Sequence, residues 1–305
     1  MTTIKKYLSL VKFSHTIFAL PFAMIGFFLG IKKNDAANPL NKIIGWGIDT
    51  SKWESGMLLS FKLLMVLICM ITARSAAMAF NRYLDRSFDA KNPRTAIREI
   101  PQGIISPNSA LRFVMLNCLI FVLASYTINL LCFFLSPLAL FVILFYSYTK
   151  RFTAFCHLVL GLGLSLAPIG AYLAVTGQFN LLPILFSLSV IFWVSGFDII
   201  YAMQDIDFDQ SNKLHSIPSV LGAVNALRVS ELLHLLCAST VVIAGIYGVF
   251  HLMYWIGILG FIGMLVYQHR VVKPNDLSNV NIAFMTANGI ASVVFGLFVI
   301  IDLYL

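Results

Sequence analysis

The chain has 305 residues, of which 59% are hydrophobic and 11% are charged, with a net charge of +8. Soluble domains carry about a quarter charged residues, so this composition excludes a soluble globular protein. The five cysteines lie scattered in apolar runs, which excludes a secreted disulfide scaffold. We therefore expect one all-α, polytopic membrane domain over residues 1–305, rather than the roughly two soluble domains that length alone would suggest.

Apolar runs of about 20 residues, the length that crosses a bilayer as a helix, recur along the chain. They predict nine transmembrane helices, over 13–31, 57–80, 113–131, 133–149, 155–176, 181–202, 232–250, 252–269 and 281–303. No small-residue cleavage site follows the first run, and the N-terminus is not rich in arginine and serine. We therefore expect neither a signal peptide nor a transit peptide, which favours a prokaryotic plasma membrane.

Lysine and arginine are unevenly divided between the two predicted sides of the membrane. If the N-terminus is cytoplasmic, most of the 21 basic residues fall on the cytoplasmic side. This orientation is the expected one, because short cytoplasmic loops carry an excess of basic residues. The net charge then reflects membrane topology, and we expect no nucleic-acid partner.

The polar segment after the second predicted helix, 81–98, has a regular spacing that a flexible loop does not need. Asn81, Asp85 and Asp89 recur every four residues, so they share one face if the helix continues. Pro93 ends the predicted helix. The basic residues around these side chains are Arg82, Arg86, Lys91, Arg94 and Arg98.

A second polar segment closes the sixth predicted helix. Asp198, Tyr201, Asp205 and Asp209 are spaced by three, four and four residues, so they also share one helical face. Asp198 lies inside the apolar run, where a carboxylate is costly and usually marks a functional site. Both segments follow even-numbered spans, which places both at the predicted cytoplasmic side.

Two facing sets of carboxylates would repel each other unless a cation lies between them. Mg²⁺ suits carboxylate and amide oxygens and shares its remaining coordination sites with phosphates. The nearby arginines and lysines would hold a diphosphate. A lipid diphosphate therefore fits such a site, and loss of an allylic diphosphate would leave a carbocation that an aromatic-lined cavity could shelter.

The two segments resemble the signature motifs of the UbiA superfamily of intramembrane prenyltransferases. The similar stretches are NRYLDRSFDAKNPRT at 81–95 and DIIYAMQDIDFD at 198–209. Between them, YSYTKR at 146–151 is similar to the family's basic turn. The resemblance covers essentially the whole chain and implies nine helices around a central cavity, with both motifs at the cytoplasmic side.

The resemblance also implies roles for individual residues. The Mg²⁺ ligands would be Asn81, Asp85, Asp89, Asp205 and Asp209, with Asp85, Asp205 and Asp209 as the catalytic set. The diphosphate would be bound by Lys150, Arg151, Arg94, Arg98 and Lys91. Arg82 departs from the family pattern, since many members carry aspartate at this position.

Two further segments, KFSHTIFALP at 12–21 and LHSIP at 214–218, resemble the 4-hydroxybenzoate polyprenyltransferase-like group. That group attaches a polyprenyl chain to an aromatic acid in ubiquinone or menaquinone biosynthesis, and a dihydroxynaphthoate acceptor stays open as an alternative. The possible substrate contacts are Asp198, Tyr201, Arg74 and His15. A cation-coupled transporter is the non-enzyme alternative, although its acidic residues would be expected nearer mid-membrane.

Overall fold

The computed structural model describes residues 3–11, 18–33 and 54–305. Within these residues the chain forms twelve α-helices, one 3-10 turn (Met203–Asp205) and one π-helical segment (Ile282–Ala287). The α-helices are α1 Thr3–Leu10, α2 Leu20–Lys33, α3 Ser55–Leu84, α4 Arg86–Asp89, α5 Pro107–Ile128, α6 Leu130–Thr149, α7 Cys156–Thr176, α8 Leu181–Ala202, α9 Ile206–Ser211, α10 Ile217–Tyr247, α11 Leu252–Val271 and α12 Asn288–Tyr304. The prediction of an all-α, polytopic membrane protein is confirmed, and 8 helical segments of the described chain are long and apolar enough to cross a bilayer.

The predicted first span, 13–31, is only partly described. Its second half corresponds to α2, a helix of 14 residues. Residues 12–17, which include the possible substrate contact His15, lie outside the described residues, as does the stretch 34–53. The remaining eight predicted spans each correspond to one of the long helical segments.

The predicted start of the seventh span, at residue 232, was wrong. α10 begins at Ile217, where Ser216 and Ser219 form a capping box: the Ser219 N–H donates to Ser216 Oγ at 3.3 Å and the Ser216 N–H donates to Ser219 Oγ at 2.8 Å. Hydropathy misses this start because exposed polar residues occupy the first half of the helix. These residues are Asn225, Arg228 and Glu231.

α10 is interrupted by a kink in its backbone at Gly222. Gly222 has φ 74° and ψ 167°, a conformation outside the helical region. Residues other than glycine rarely adopt a positive φ, so glycine at position 222 permits this interruption of the helix.

The described residues divide into two compact units, and the single-domain prediction stays a prediction. The first unit contains α1 and α3 to α6. In its core the rings of Tyr7 and Phe113 lie 4.7 Å apart. α5 and α6 are joined by Asn129 alone, and the Asn129 side-chain oxygen accepts the Cys132 N–H at 2.8 Å, which caps the start of α6.

The second unit contains α2 and α7 to α12, around an aromatic core. The ring of Trp193 in α8 lies 5.2 Å from Phe22 and 5.8 Å from Phe261. α2 approaches α7 closely because Gly26 faces the backbone of Pro168, where an added Cβ would overlap the carbonyl group. This unit carries the second acidic motif at the end of α8.

A buried polar node connects three helices of the second unit. Asn288 Oδ1 accepts the indole N–H of Trp193 at 2.9 Å and the side-chain amide of Gln268 at 2.8 Å. Asn288 Nδ2 donates to the carbonyls of Ala283 and Phe284 at 3.2 and 2.9 Å, inside the π-helical segment. Asn288, Trp193 and Gln268 are fully buried, so the node pairs groups that water cannot reach.

Replacing Asn288 with alanine should lower the free energy of unfolding by about 2–4 kcal/mol, because several buried donors and carbonyls lose their partner together. The measurement is the unfolding temperature of the purified protein in detergent. Asn225→Ala is the matched control, since the exposed Asn225 amide donates to the Leu221 carbonyl of its own helix. Equal unfolding temperatures for the two variants would contradict this account of the node.

Candidate active site

The first acidic motif bends at Asp85. α3 ends at Leu84, Asp85 has φ −87° and ψ 6°, and the short helix α4 follows. The prediction that Asn81, Asp85 and Asp89 share one face of a continuous helix was therefore wrong at Asp85. Asn81 and Asp85 remain in contact, since Asn81 Nδ2 donates to Asp85 Oδ2 at 3.0 Å. This bond uses the amide nitrogen of Asn81 and not its amide oxygen.

The third acid of the motif, Asp89, is buried and paired. One guanidinium nitrogen of Arg98 donates to both carboxylate oxygens of Asp89, at 2.8 and 3.0 Å. Thr95 Oγ1 also donates to the Asp89 carbonyl at 3.2 Å. A predicted metal ligand and a predicted diphosphate ligand are thus held against each other, which ties the loop after the motif back to Asp89.

Arg82, which departs from the family pattern, has a structural partner. Its guanidinium donates to the carboxylate of Glu99, and Ser9 of α1 donates to the same carboxylate. Both Arg82 and Glu99 are buried. Glu99 was missed from the sequence because it lies after the motif in an irregular segment. The only signal for it was an arginine at a position where many family members carry an acid.

The other basic candidates of the first unit differ in exposure. Lys91 is exposed and Arg94 is half-buried. Arg74, a predicted substrate contact on α3, has its Nε buried without a hydrogen-bond partner among the described residues. A buried guanidinium nitrogen that lacks a partner inside a membrane helix is a donor that a bound anion or carbonyl could satisfy.

The second acidic motif leaves α8 through the 3-10 turn and continues in α9. Asp205 and Asp209 are both buried. Lys150 Nζ lies 2.8 Å from Asp209 Oδ1, and Ser216 Oγ donates to Asp209 Oδ2 at 2.9 Å. The structure therefore brings together the predicted diphosphate ligand Lys150 and the predicted metal ligand Asp209. Arg151, the next residue, is half-buried.

The charge of Lys150 is maintained by its surroundings. Burial alone would lower the pKa of Lys150, but the carboxylates of Asp209 and Asp205 outweigh burial and raise the pKa above its usual value. Lys150 therefore stays cationic throughout the physiological pH range.

The segment after the second motif is tied to the basic turn. The Leu214 N–H donates to the Asp209 carbonyl at 2.8 Å, and the His215 N–H donates to the Lys150 carbonyl at 2.7 Å. Cys156 Sγ lies 3.6 Å from the His215 carbonyl. The LHSIP segment, predicted from its resemblance to the 4-hydroxybenzoate group, thus fixes Lys150 beside the second acidic motif.

Asp198 and Tyr201, two predicted substrate contacts, lie in the C-terminal half of α8. Asp198 Oδ2 lies 2.7 Å from His157 Nδ1 of α7. The rings of Tyr201 and Phe284 have centroids 4.2 Å apart. His157 was not among the predicted site residues, because a lone histidine at the start of an apolar span carries no spacing signal.

The described residues offer oxygen ligands for a metal ion but no complete cage. Among residues 3–11, 18–33 and 54–305, no three His, Cys, Asp or Glu side chains are grouped closely enough to hold a metal ion. Mg²⁺ does not require such a group, since it is usually bound by one or two carboxylates and completed by substrate phosphates and water. The Asp205 and Asp209 carboxylates, and the Asn81–Asp85 pair, fit this mode of binding.

The sequence model of the UbiA prenyltransferase family matches residues 46–290. The chain belongs to this family. The 4-hydroxybenzoate octaprenyltransferase of Tolumonas auensis is 30% identical to it over 237 residues, which cover 77% of this chain and 82% of that protein. The 4-hydroxybenzoate octaprenyltransferase of Aeromonas salmonicida is 31% identical over 238 residues, covering 76% and 80%.

Solved structures of UbiA homologues share the fold. The apo structure of a UbiA homolog from Aeropyrum pernix K1 matches with a TM-score of 0.79 and 25% identity, covering 94% of this chain and 98% of that one. A UbiA homolog from Archaeoglobus fulgidus bound to GPP and Mg²⁺ matches with a TM-score of 0.69 and 18% identity, covering 98% and 100%. The predicted family, fold and enzyme class, a UbiA-type prenyltransferase, are thus confirmed.

Proposed function

We propose that this UbiA-family chain is a Mg²⁺-dependent polyprenyltransferase that moves a polyprenyl chain from polyprenyl diphosphate to an aromatic acid of the 4-hydroxybenzoate type. The observation that carries the proposal is the contact of the partly exposed Lys150 ammonium with the buried carboxylate of Asp209, near the second buried carboxylate of Asp205. A cation and carboxylates at the end of a membrane helix suit an anionic diphosphate that arrives with a divalent metal. The names of the relatives support the acceptor class.

The two acidic motifs are proposed to supply the metal ligands. The proposed ligands are Asn81, Asp85 and Asp89 in the first unit, and Asp205 and Asp209 in the second. Arg98 and Lys150, which now neutralise Asp89 and Asp209, can exchange those carboxylates for diphosphate oxygens once the carboxylates bind metal. The same two cations then serve both states of the protein, which avoids leaving a buried carboxylate unpaired before substrate binds.

The remaining residues are proposed to bind and shield the reacting groups. Mg²⁺ held by these carboxylates would supply positive charge against the charge that develops on the departing diphosphate. Lys150 and Arg151 hold the diphosphate oxygens, with Arg94 and Lys91 as further candidates in the first unit. Tyr201 offers an aromatic ring near the second acidic motif, where a carbocation would be stabilised by its π face.

Incubating the purified protein with geranyl diphosphate, Mg²⁺ and 4-hydroxybenzoate should give a geranylated product whose mass identifies it, and chelation of Mg²⁺ with EDTA should abolish the product. 1,4-Dihydroxy-2-naphthoate in place of 4-hydroxybenzoate tests the alternative acceptor. Product from the naphthoate alone would retain prenyl transfer and reassign the acceptor, whereas no prenylated product from either acceptor would refute the proposed function.

The cellular setting follows from the same proposal. We place the chain in a prokaryotic inner membrane with a cytoplasmic N-terminus, because the basic residues lie mostly on that predicted side and the matched relatives are bacterial proteins. The product would enter ubiquinone or menaquinone biosynthesis. Family membership favours this enzyme over the transporter alternative.

A further inference from the structure

Neither Asp198 nor His157 is among the proposed metal or diphosphate ligands. The Asp198 side chain is 23% exposed and the His157 side chain is 3% exposed, and their contact distance is 2.7 Å. The contact involves Asp198 Oδ2, and Oδ1 has no hydrogen-bond partner among the described residues. An accessible carboxylate oxygen within a membrane helix can accept a hydrogen bond from a bound molecule, because water hydrates it poorly there.

The histidine in this pair is held in one tautomer by its second contact. The Ile217 N–H, at the start of α10, donates to His157 Nε2 at 3.3 Å. An imidazole nitrogen that accepts a backbone N–H carries no proton, so the ring proton is on Nδ1 and is donated to Asp198. His157 therefore fixes the direction of the carboxylate.

The position of Asp198 along α8 suits the acceptor rather than the diphosphate. Asp198 precedes Asp205 by seven residues, which on helical geometry is about two turns and roughly 10 Å along the axis. Tyr201 lies between them in the chain, with its ring against Phe284. This span accommodates a departing diphosphate at Asp205, an allylic carbon beside Tyr201 and an aromatic ring whose hydroxyl reaches Asp198.

We infer that Asp198 is a catalytic residue that binds the hydroxyl of the aromatic acceptor and takes its proton, and that His157 is the residue that positions it. The inference rests on the proposed prenyl transfer and identifies the substrate as a hydroxyarene whose hydroxyl is adjacent to the carbon that is prenylated. The acceptor's own carboxylate is excluded from this position by the charge of Asp198.

The proton transfers balance in two steps. As the ring carbon ortho to the hydroxyl forms its bond to the allylic carbon, the O–H bond breaks and the proton moves to Asp198 Oδ1, which leaves a neutral dienone. The proton on the new sp³ carbon then leaves to the released diphosphate, and Asp198 returns its proton to the oxygen. The products are the prenylated hydroxyarene and a protonated diphosphate, with Asp198 again ionised.

The Asp198→Asn variant tests the inference with geranyl diphosphate and 4-hydroxybenzoate as probes. General-base catalysis contributes roughly 10²–10⁴-fold, so we expect kcat to fall by about 10²-fold or more. The rise in unfolding temperature produced by geranyl diphosphate with Mg²⁺ should be unchanged, since donor binding does not involve Asp198. Asp207→Asn, an exposed acid two residues beyond Asp205, is the charge-matched control and should keep the parent rate.

A more acidic acceptor separates proton removal from a purely structural role. The ring fluorine of 3-fluoro-4-hydroxybenzoate makes the hydroxyl easier to ionise, so the deficit of Asp198→Asn relative to the parent should shrink by about tenfold with this acceptor. An equal deficit with both acceptors would overturn the catalytic role of Asp198.

His157 variants test the positioning role. A glutamine side chain can donate to Asp198 and accept from the Ile217 N–H, so His157→Gln should retain most of the parent activity. Leucine can do neither, so His157→Leu should resemble Asp198→Asn in kcat while keeping the donor-induced rise in unfolding temperature. Loss of activity in His157→Gln equal to that in His157→Leu would refute the positioning role.

The outcomes distinguish this inference from the proposed function. If the parent enzyme forms no product with any of the probes, the proposed function fails and this inference falls with it. If the parent is active and Asp198→Asn either matches its rate or loses the donor-induced rise in unfolding temperature, only the assignment of Asp198 to the acceptor is overturned.

Discussion

The Asp205→Asn variant should lose about 10³-fold or more of its prenyl transfer rate while remaining folded in the membrane. The substitution keeps the size of a buried side chain but removes the negative charge that a metal ligand at this position needs. The measurement is the initial rate with geranyl diphosphate, 4-hydroxybenzoate and saturating Mg²⁺. Asp85→Asn in the first motif should behave in the same way.

Asp207→Asn again provides the control, because Asp207 is exposed on α9 and undergoes the same change of charge. Its rate should stay within about twofold of the parent, as surface substitutions usually have small effects. Equal losses of rate in Asp205→Asn and Asp207→Asn would indicate a general effect of negative charge at this helix end. Full activity of Asp205→Asn would exclude Asp205 as a metal ligand.

The Lys150→Met variant should be affected in both stability and substrate binding. Without Lys150 the buried carboxylate of Asp209 lacks its cation, which should lower the free energy of unfolding by about 2–3 kcal/mol; the Lys150 side chain is 33% exposed, so the loss is smaller than for a fully buried pair. Loss of a charged contact to the diphosphate should raise KM for geranyl diphosphate by about 10–100-fold.

Two further variants make the Lys150 result specific. Lys213→Met removes an exposed lysine close to the same motif and should change neither quantity. Lys150→Arg keeps the charge and should recover most of the stability. A Lys150→Met protein with the parent KM would remove Lys150 from the diphosphate site, even if it were less stable.

The contribution of Lys150 to stability should not depend on pH near neutrality. The Asp209 and Asp205 carboxylates overcome the effect of burial and raise the pKa of Lys150 above its usual value. A raised pKa in the folded state gives a stabilisation that is complete below the unfolded-state pKa of about 10.4 and is lost only as pH rises beyond it. The difference in unfolding temperature between the parent and Lys150→Met should therefore be constant between about pH 7.5 and 9.

Hydropathy was sufficient to locate most of the fold. Helix α6, for example, contains no charged residue, and an uncharged apolar run long enough to cross a bilayer has few other interpretations. The start of α10 was missed because a capping box at Ser216, and not an apolar run, begins that helix. The interruption at Asp85 was also missed, since the spacing argument assumed that the helix continues through the motif.

The acids of the candidate site were predictable because carboxylates are rare and costly beside a membrane helix, so their regular spacing stood out. Their partners were not predictable to the same degree. Glu99 is 17 residues from Arg82, and His157 is 41 residues from Asp198, so neither pair shares a helix or a repeat. Lys150 was identified only through the family's basic turn, and its contact with Asp209 across 59 residues required the structure.

The break at Gly222 separates α10 into two parts with different attachments. The first turns are tied to the second acidic motif and to α7 through Ser216 and Ile217, while the long remainder packs into the apolar core. Because the backbone leaves the helical conformation at Gly222, a tilt of the short part need not be carried along the long one. Under the proposed function, we expect the second acidic motif to shift when diphosphate binds or leaves, without a change in the packing of the long part of α10 against the apolar core.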